Sequence, residues 1–191
     1  MSSASRTALT FGAIAALLAA CSSEGEQEAV IGQHLRVSNS DISGEICYPS
    51  DDIRGSGANY GHEMLVNTSD HEVELLSVRL NEPRHVELAG SFIAPEEYAS
   101  SFGILDGWPG EGLSSAAKDS LVQIPGASVA GTDAASTRDD EFTLVLHLKL
   151  QERSAFDGLV IEYRLKGEET LRQTRPSTWR FRVKPACGGG G

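Results

Sequence analysis

The chain has 191 residues, with 16 basic and 27 acidic side chains, a formal net charge of −11 at pH 7 and three cysteines. Hydrophobic residues make up 40% and charged residues 23%, which excludes wholesale disorder and fits one globular domain with extra segments at its ends. The acidic balance excludes nucleic acid as a partner, because phosphates attract a basic surface. We divide the chain into residues 1–20, 21–29, 30–187 and 188–191.

Residues 1–20 predict a cleaved secretory signal peptide. Arg6 gives a positive end, and an apolar run follows from Ala8 to Ala20. Its length fits the roughly 7–15 apolar residues of an export signal and falls short of the ~20 that a membrane-spanning helix needs. The alternative is a buried helix, but the polar stretch from Ser22 to Glu28 favours the signal peptide.

The end of this run, Leu18-Ala19-Ala20-Cys21, resembles the lipobox of bacterial lipoproteins. The resemblance covers the first 21 residues and implies that the signal is cut before Cys21, whose thiol then carries diacylglycerol, often with a further acyl chain such as palmitate on the new N-terminus. Two or three acyl chains give stable attachment without a spanning helix. We therefore expect a lipid anchor on the extracytoplasmic side of the cell membrane or, since Ser22 follows the cysteine, of the outer membrane. Residues 21–29 then form an acidic tether.

The two remaining cysteines, Cys47 and Cys187, predict a disulfide, because export places them in an oxidising compartment. Such a bond would close a loop over most of the domain, for which chain entropy gives about 4–5 kcal/mol at most. Two free thiols are the alternative, since a sequence does not fix disulfide geometry. Beyond Cys187, residues 188–191 are a glycine tail with no side chain to pack.

Downstream of Ser50 the hydrophobic pattern has a period of two, which predicts an all-β fold. The clearest strand covers residues 142–150, where Phe, Leu, Leu, Leu and Leu alternate with Thr143, Val145, His147 and Lys149. Strands at 159–165 and 179–183 repeat the alternation. The polar link from Gln151 to Gly158 predicts an antiparallel hairpin between 142–150 and 159–165.

The first half of the domain predicts a second hairpin, formed by residues 64–66 and 73–80 around the turn signal at Asn67. A change of phase between Leu75 and Leu76 predicts a bulge near Leu75. Another strand covers residues 86–95. With weaker candidates at 31–37, 121–124 and 170–174, the total is about eight or nine short strands.

These strands predict an antiparallel β-sandwich of about eight strands, with an up-and-down barrel as the alternative. The arrangement resembles the immunoglobulin-like or fibronectin-III-like sandwiches of exported bacterial proteins, especially in the Asn67 turn between apolar strands. It departs from true immunoglobulin domains, because the cysteine pair does not lie on two mid-domain strands around a buried Trp. The resemblance carries no functional residues, and the fold alone predicts no function.

A long connection at residues 95–112 is rich in Gly and Pro and contains Tyr98, Phe102 and Trp108. Long loops with aromatic residues are often functional, because aromatic rings offer a large contact area at a low entropic cost. We take these three residues as a candidate partner-binding loop. The alternative is that they cap one open end of the sandwich.

No motif in the sequence predicts a cofactor, a metal site or catalytic residues. His62-Glu63 and His71-Glu72 open like the HExxH zinc motif, but each lacks the second His and lies on a predicted strand. Weaker alternatives are a copper site at His62 and Met64 and a Ca²⁺ site in one of two acidic segments. The acidic candidates are Asp51, Asp52, Asp133, Asp139, Asp140 and Glu141.

The last strand carries a basic stripe of Arg180, Arg182 and Lys184. In an acidic protein this stripe predicts cross-strand ion pairs, and we expect Glu162 or Glu169 as the partners.

The sequence therefore predicts a membrane-anchored, non-enzymatic binding or assembly module of the cell envelope, with an envelope protein as its possible partner. The alternatives are an exported protein that binds a metal ion or a small ligand, and a hydrolase whose catalytic groups are dispersed along the chain.

Overall fold

The computed structural model describes residues 28–37, 43–52, 57–110, 112–132 and 141–187. The predicted signal peptide, Cys21 and the glycine tail lie outside these residues. Within them, seven strands have six or more residues and six are two or three residues long. The short edge pieces explain why the expected number of about eight was low. In chain order the strands are β1 (Val30–Ile31), β2 (Leu35–Val37), β3 (Gly44–Pro49), β4 (Ala58–Asn67), β5 (Val73–Leu80), β6 (Arg84–Pro95), β7 (Ile104–Asp106), β8 (Val122–Ile124), β9 (Ser128–Val129), β10 (Glu141–Asp157), β11 (Leu159–Leu165), β12 (Arg172–Gln173) and β13 (Trp179–Lys184).

The strands form two sheets that pack face to face. The five-stranded sheet has the order β1-β12-β11-β5-β9, and the eight-stranded sheet contains β2-β4-β10-β13-β3 together with β6, β7 and β8. Most pairings are antiparallel, whereas β1 with β12 and β3 with β13 are parallel. The predicted all-β sandwich is confirmed, and the barrel alternative is wrong.

The core lies between the sheets and follows from the alternating strand sequences. Leu144, Leu146 and Leu148 of β10 are fully buried on one side, and Ile161 and Tyr163 of β11 are fully buried on the other. Because successive side chains of a strand point to opposite faces, a period-two apolar pattern gives each sheet one inward face.

The predicted hairpin between 142–150 and 159–165 is wrong. The strand β10 continues through Asp157, and β11 pairs with β5 in the other sheet. The polar residues after Leu150 form a bulge in which Arg153 has a φ of 66° and the Ser154 hydroxyl accepts a hydrogen bond from the Gln151 N–H at 2.7 Å. The chain crosses to the second sheet at Gly158, where a side chain would collide with the backbone of Ser177.

The predicted hairpin around Asn67 is also wrong, because β4 and β5 belong to different sheets. The turn itself is real. Asn67 is fully buried; its amide nitrogen donates to the carbonyls of His71 at 2.7 Å and Ala130 at 2.8 Å, and its side-chain oxygen accepts from the Ser69 N–H at 3.0 Å. The turn therefore connects the sheets at one end of the sandwich.

The predicted bulge near Leu75 is confirmed. Tyr163 lies opposite Leu75, and the preceding residue of β11, Glu162, lies opposite Ser77. Leu76 is thus an extra residue in β5, which shifts the inward phase of this strand.

The outer face of the eight-stranded sheet is covered in part by the connection from β6 to β8. This connection contains a 3-10 turn (Glu96–Ser101), β7 and the short helix α1 (Ser115–Asp119). Ala94 and Val145 of the sheet and Phe102 and Ala117 of this connection are fully buried where the two meet, and they form a second apolar cluster. We call residues 96–110 and 112–121 the cover segment.

The basic stripe of β13 forms cross-strand ion pairs, but the predicted partners were wrong. Arg182 pairs with Asp157 and Lys184 pairs with Glu45. Glu162 instead lies in the other sheet, where it accepts a hydrogen bond from Ser77 at 2.7 Å. The long extension of β10 brings Asp157 beside β13, whereas the polar composition of residues 151–158 predicted a turn there.

Candidate functional site

A cavity of about 370 Å³ opens at the edge of the sandwich. Its walls come from three segments: residues 32–37, which lead into and form β2; Thr68, in the turn after β4; and residues 174–178, between β12 and β13. We call it the edge cavity. A volume of this order suits a small organic ligand.

Backbone hydrogen bonds fix both long walls of the edge cavity. The N–H groups of Thr174 and Ser177 donate to the carbonyls of Ile161 and Leu159 at 2.9 and 3.0 Å, so the 174–178 wall is fastened to β11. On the opposite wall, the Thr68 N–H donates to the His34 carbonyl at 2.7 Å. The walls of the cavity are therefore formed by hydrogen-bonded backbone and not by surface side chains alone.

Gly32 is required at the cavity edge by a close approach. The ring of the fully buried Tyr163 lies directly against its Cα. Any larger residue there would collide with the Tyr163 hydroxyl, so the backbone of this wall can lie close to β11 only because position 32 is glycine.

The hydroxyl groups of the lining already have internal partners. The Thr68 hydroxyl donates to the Gln33 carbonyl at 2.9 Å, the Thr174 hydroxyl accepts from the Ile161 N–H at 3.0 Å, and the Ser177 hydroxyl accepts from the Leu159 N–H at 3.1 Å. Leu35 and Val37, which are also core residues, supply an apolar part of the lining. The charged lining residues are Arg36 and Arg175.

Behind the wall at Ser177 lies a buried carboxylate that sequence reasoning missed. Glu63 has no exposed surface, and its Oε1 accepts hydrogen bonds from the hydroxyls of Ser177 at 2.7 Å and Tyr60 at 3.3 Å. Burial, together with the charge of Glu63, raises the pKa of Tyr60 well above its ordinary value, so Tyr60 stays protonated and able to donate.

Sequence reasoning missed Glu63 because of a bulge in β4 that is seen only in the strand register. Leu146 lies opposite Tyr60, whereas Leu144 lies opposite Glu63. A step of two positions along β10 therefore corresponds to a step of three along β4. As a result, Tyr60 and Glu63 both face the core although they are three positions apart. Without the bulge, the alternation of a strand would place Glu63 on the opposite face from Tyr60.

The three aromatic residues of the candidate partner-binding loop all pack against the outer face of the eight-stranded sheet. Phe102 is fully buried, and Tyr98 is partly buried against the same cluster. The Trp108 ring stacks on His147 with centroids 4.6 Å apart and lies 4.8 Å from Phe92. The loop thus covers a sheet face rather than an open end of the sandwich.

Polar groups also fasten the cover segment to the sheet. The fully buried Asn59 donates from its amide nitrogen to the Pro109 carbonyl. The Asn59 Oδ1 and His147 Nε2 atoms nearby are buried without a hydrogen-bond partner among the described residues. Asn59 and His147 face each other on β4 and β10, a juxtaposition that the sequence did not reveal.

The cysteine pair is joined as predicted: Cys47 in β3 and Cys187 after β13 form a disulfide across 140 positions. Cys47 alternates with Ile46 and Tyr48, which pack on the core, so it belongs to the outer face of the sheet.

The weaker metal candidates have other contacts, are exposed or lie outside the described residues. The Met64 sulfur accepts a hydrogen bond from the Thr143 hydroxyl at 3.4 Å, while His62 is exposed with its ring 5.6 Å from that of Tyr60. Asp51 and Asp52 are exposed in a 3-10 turn, and Asp133, Asp139 and Asp140 lie outside the described residues. Among the residues that the structure describes, no three His, Cys, Asp or Glu side chains converge as a metal site would require.

Across residues 28–187, leaving aside the gaps in the description, no helix has the length and apolar character needed to cross a membrane.

Comparison with known proteins gave no match to a family model, to a curated protein or to a solved structure.

Proposed function

We propose that the chain is an extracytoplasmic lipoprotein, anchored through Cys21 to the cell membrane or outer membrane, whose β-sandwich is a non-enzymatic binding module. The lipobox resemblance of residues 18–21 supports the anchor. The disulfide between Cys47 and Cys187 supports an oxidising compartment, because disulfides persist mainly outside the cytoplasm.

The edge cavity carries the binding part of the proposal. Its volume of about 370 Å³ and its hydrogen-bonded walls give a pre-formed site, which spares a ligand the cost of ordering the backbone. The cavity therefore favours a small ligand over a macromolecular partner.

A protein partner held by the cover segment is the second candidate. Tyr98 and Trp108 are only partly buried against the sheet, so each keeps some surface for contact with another molecule. Phe102, by contrast, is fully buried and offers none.

The lipid anchor is tested by mass spectrometry of the N-terminal peptide of the full-length chain purified from bacterial membranes. We expect a peptide that begins at Cys21 and carries the mass of diacylglycerol. The Cys21→Ser variant should lack both the cleavage and the lipid, whereas Cys47→Ser should keep them. An unmodified thiol at Cys21 in the wild-type chain would contradict the anchor.

The binding function is tested by native mass spectrometry of the same membrane-purified protein. We expect a non-covalent small-molecule adduct that is lost in Gln33→Trp, because Gln33 lines the edge cavity and a bulkier side chain would fill it. Gln123→Trp is the matched control, since Gln123 is also exposed but lies on β8. If no adduct is found, or if both variants retain it equally, the small-ligand proposal fails and the protein-partner candidate is favoured.

A further inference from the structure

We infer that the edge cavity binds a small organic anion, a carboxylate or a phosphate ester with an apolar body, through the guanidinium groups of Arg36 and Arg175. This inference rests on the proposed binding function and adds the chemical class of the ligand.

The first observation is the charge of the cavity. Its lining contains Arg36 and Arg175 and no acidic residue, although the whole chain has a net charge of −11. Neither arginine forms an ion pair in the described part of the chain. Four other arginines on nearby strands do form ion pairs: Arg79 with Glu162, Arg164 with Glu74, Arg172 with Glu168 and Arg182 with Asp157.

A second cavity, whose charged residues form ion pairs, provides a comparison. It has a volume of about 390 Å³ and lies beside β5 and β11. Its charged residues neutralise one another, because Lys166 pairs with Glu72 at 2.7 Å and Arg164 pairs with Glu74 at 2.6 Å. The two cavities are similar in size but differ in charge: of these two, the edge cavity alone presents cations that have no ion pair among the described residues.

The second observation is that three hydroxyl groups of the lining already have hydrogen-bond partners. The hydroxyls of Thr68, Thr174 and Ser177 already hold the walls together. An incoming ligand consequently finds its strongest free hydrogen-bond donors at the two guanidinium groups. A guanidinium presents several N–H groups in one plane, which match the oxygens of a carboxylate or phosphate.

The third observation concerns the rest of the ligand. Leu35, Val37 and Pro176 line the same cavity and provide apolar contact beside the cations. The buried carboxylate of Glu63 is not among the lining residues, and the hydroxyls of Ser177 and Tyr60 donate to it. The arrangement fits an anionic head with a short apolar tail.

The test uses three probes of similar size: hexanoate, hexyl phosphate and the neutral hexanamide. They are titrated into the processed chain, residues 21–191 with Cys21→Ser, which retains every described strand and both disulfide cysteines. Binding is followed by the amide NMR shifts of residues 32–37 and of residues 174–178 other than Pro176, which has no amide proton. The variants are Arg36→Gln with Arg175→Gln and, as the control, Lys118→Gln, which removes an exposed cation of α1 outside the cavity.

We expect at least one of the two anions to shift the cavity amides, and hexanamide to bind about tenfold more weakly or worse, the loss expected for a missing charge-assisted hydrogen bond. The ratio of the hexanoate and hexyl phosphate affinities distinguishes a carboxylate from a phosphate ester. The double arginine variant should bind the anion no better than hexanamide, and Lys118→Gln should bind it like the wild-type chain. Added salt should weaken anion binding, because the arginines are exposed.

Two results would overturn the inference while the binding function stands: equal affinity for hexanamide and the anions, or anion binding that survives in the folded double variant. If none of the three probes shifts the cavity amides, both the inference and the proposed small-ligand function fail. Far-ultraviolet circular dichroism of the double variant establishes that it is folded, as the exposure of both arginines leads us to expect.

Discussion

The two faces of the eight-stranded sheet are buried in different ways. The inner face packs against a whole second sheet through residues such as Leu144, Leu146 and Leu148. The outer face has two parts: one lies under the cover segment with Phe102 and Val145, and the other carries ion pairs at the surface, such as Lys149 with Glu87 at 2.6 Å. Stability should therefore depend strongly on the inner face, less on the covered part and least on the uncovered part.

Replacement of Phe156 by Ala should give the largest loss of stability. Phe156 is fully buried on the inner face, with its ring 5.2 Å from Phe181 and 5.4 Å from Tyr60. Removing the ring deletes apolar contact and leaves a cavity, so we expect a loss of about 3–5 kcal/mol in the free energy of unfolding. Urea unfolding of both proteins measures the difference.

Phe142→Ala is the matched control, because Phe142 contacts the same core but is only partly buried. Its loss should be clearly smaller. Equal losses for the two variants would show that the degree of burial on the inner face does not determine the loss in the free energy of unfolding at these positions.

The inner face could be predicted from the sequence because each strand carries its own signal. The apolar residues of 142–150 alternate without a break, and they are the residues that pack on the second sheet. The outer face could not be predicted in the same way. Thr143 and Val145 belong to the opposite phase, yet both are fully buried, since the cover segment lies over them. A strand pattern shows which residues share a face but not what covers the second face.

The sequence also did not predict which turns connect the two sheets. Turn signals at Asn67 and Gly158 were located correctly, but both turns pass between sheets instead of closing hairpins. The local chemistry of a turn is the same in both cases, because it depends on a few neighbouring residues. The destination of the next strand depends on packing across the whole domain.

Loss of the disulfide should give the second largest effect. The bond between Cys47 and Cys187 joins β3 to the segment after β13 on the outer side of the sheet and closes a loop of 140 positions. Its loss gives the unfolded chain more freedom, so Cys47→Ala with Cys187→Ala should lower the free energy of unfolding by about 2–4 kcal/mol. Denaturant unfolding with and without a reductant checks this value.

Reductant should leave the double variant unchanged and lower the stability of the wild-type protein to a similar level. If reduction has no effect on the wild-type protein, the bond is not holding the two ends of the domain.

Trp108→Ala should show the contribution of the covered part of the outer face. The Trp108 ring stacks on His147 and contacts Phe92, but it is only partly buried, so the expected loss is about 1–3 kcal/mol, below that of a fully buried aromatic ring. Trp108→Phe keeps a ring over His147 and should recover much of the loss. The measurement is again urea unfolding.

The same pair of variants separates the two interpretations of the aromatic loop. If Trp108→Ala unfolds at the wild-type urea concentration, the ring does not stabilise the sheet and its role in partner binding is favoured. A loss that Phe restores shows that Trp108 acts mainly as part of the cover segment.

Little of the candidate site could be predicted from the sequence, and the reason lies in its construction. The edge cavity combines residues 32–37 with 174–178, which are far apart in the chain and belong to loops and edge strands. Neither Arg36 nor Arg175 forms part of a motif, and their significance comes from the absence of an acidic partner in the described structure. Glu63 was hidden by the β4 bulge, since alternation assigns it to the wrong face. The disulfide, by contrast, could be predicted from the number of cysteines, because two remain once Cys21 is assigned to the lipid.

The uncovered part of the outer face should contribute least, and its contribution should depend on pH. The hydrogen bond from Arg182 to Asp157, assisted by the positive charges of Arg182 and nearby arginines, holds the pKa of Asp157 below its ordinary value of 3.8. Because the pKa is lowered in the folded state, this ion pair stabilises the protein above about pH 4, and the effect disappears as the pH falls through the lowered pKa.

We expect Asp157→Asn to be less stable than the wild-type protein by up to about 1 kcal/mol at neutral pH, as is usual for pairs at a surface. The difference in unfolding free energy should shrink towards zero in acid. A difference for Asp157→Asn that is the same at pH 7 and in strong acid would mean that the charge of Asp157 is not what stabilises this part of the sheet.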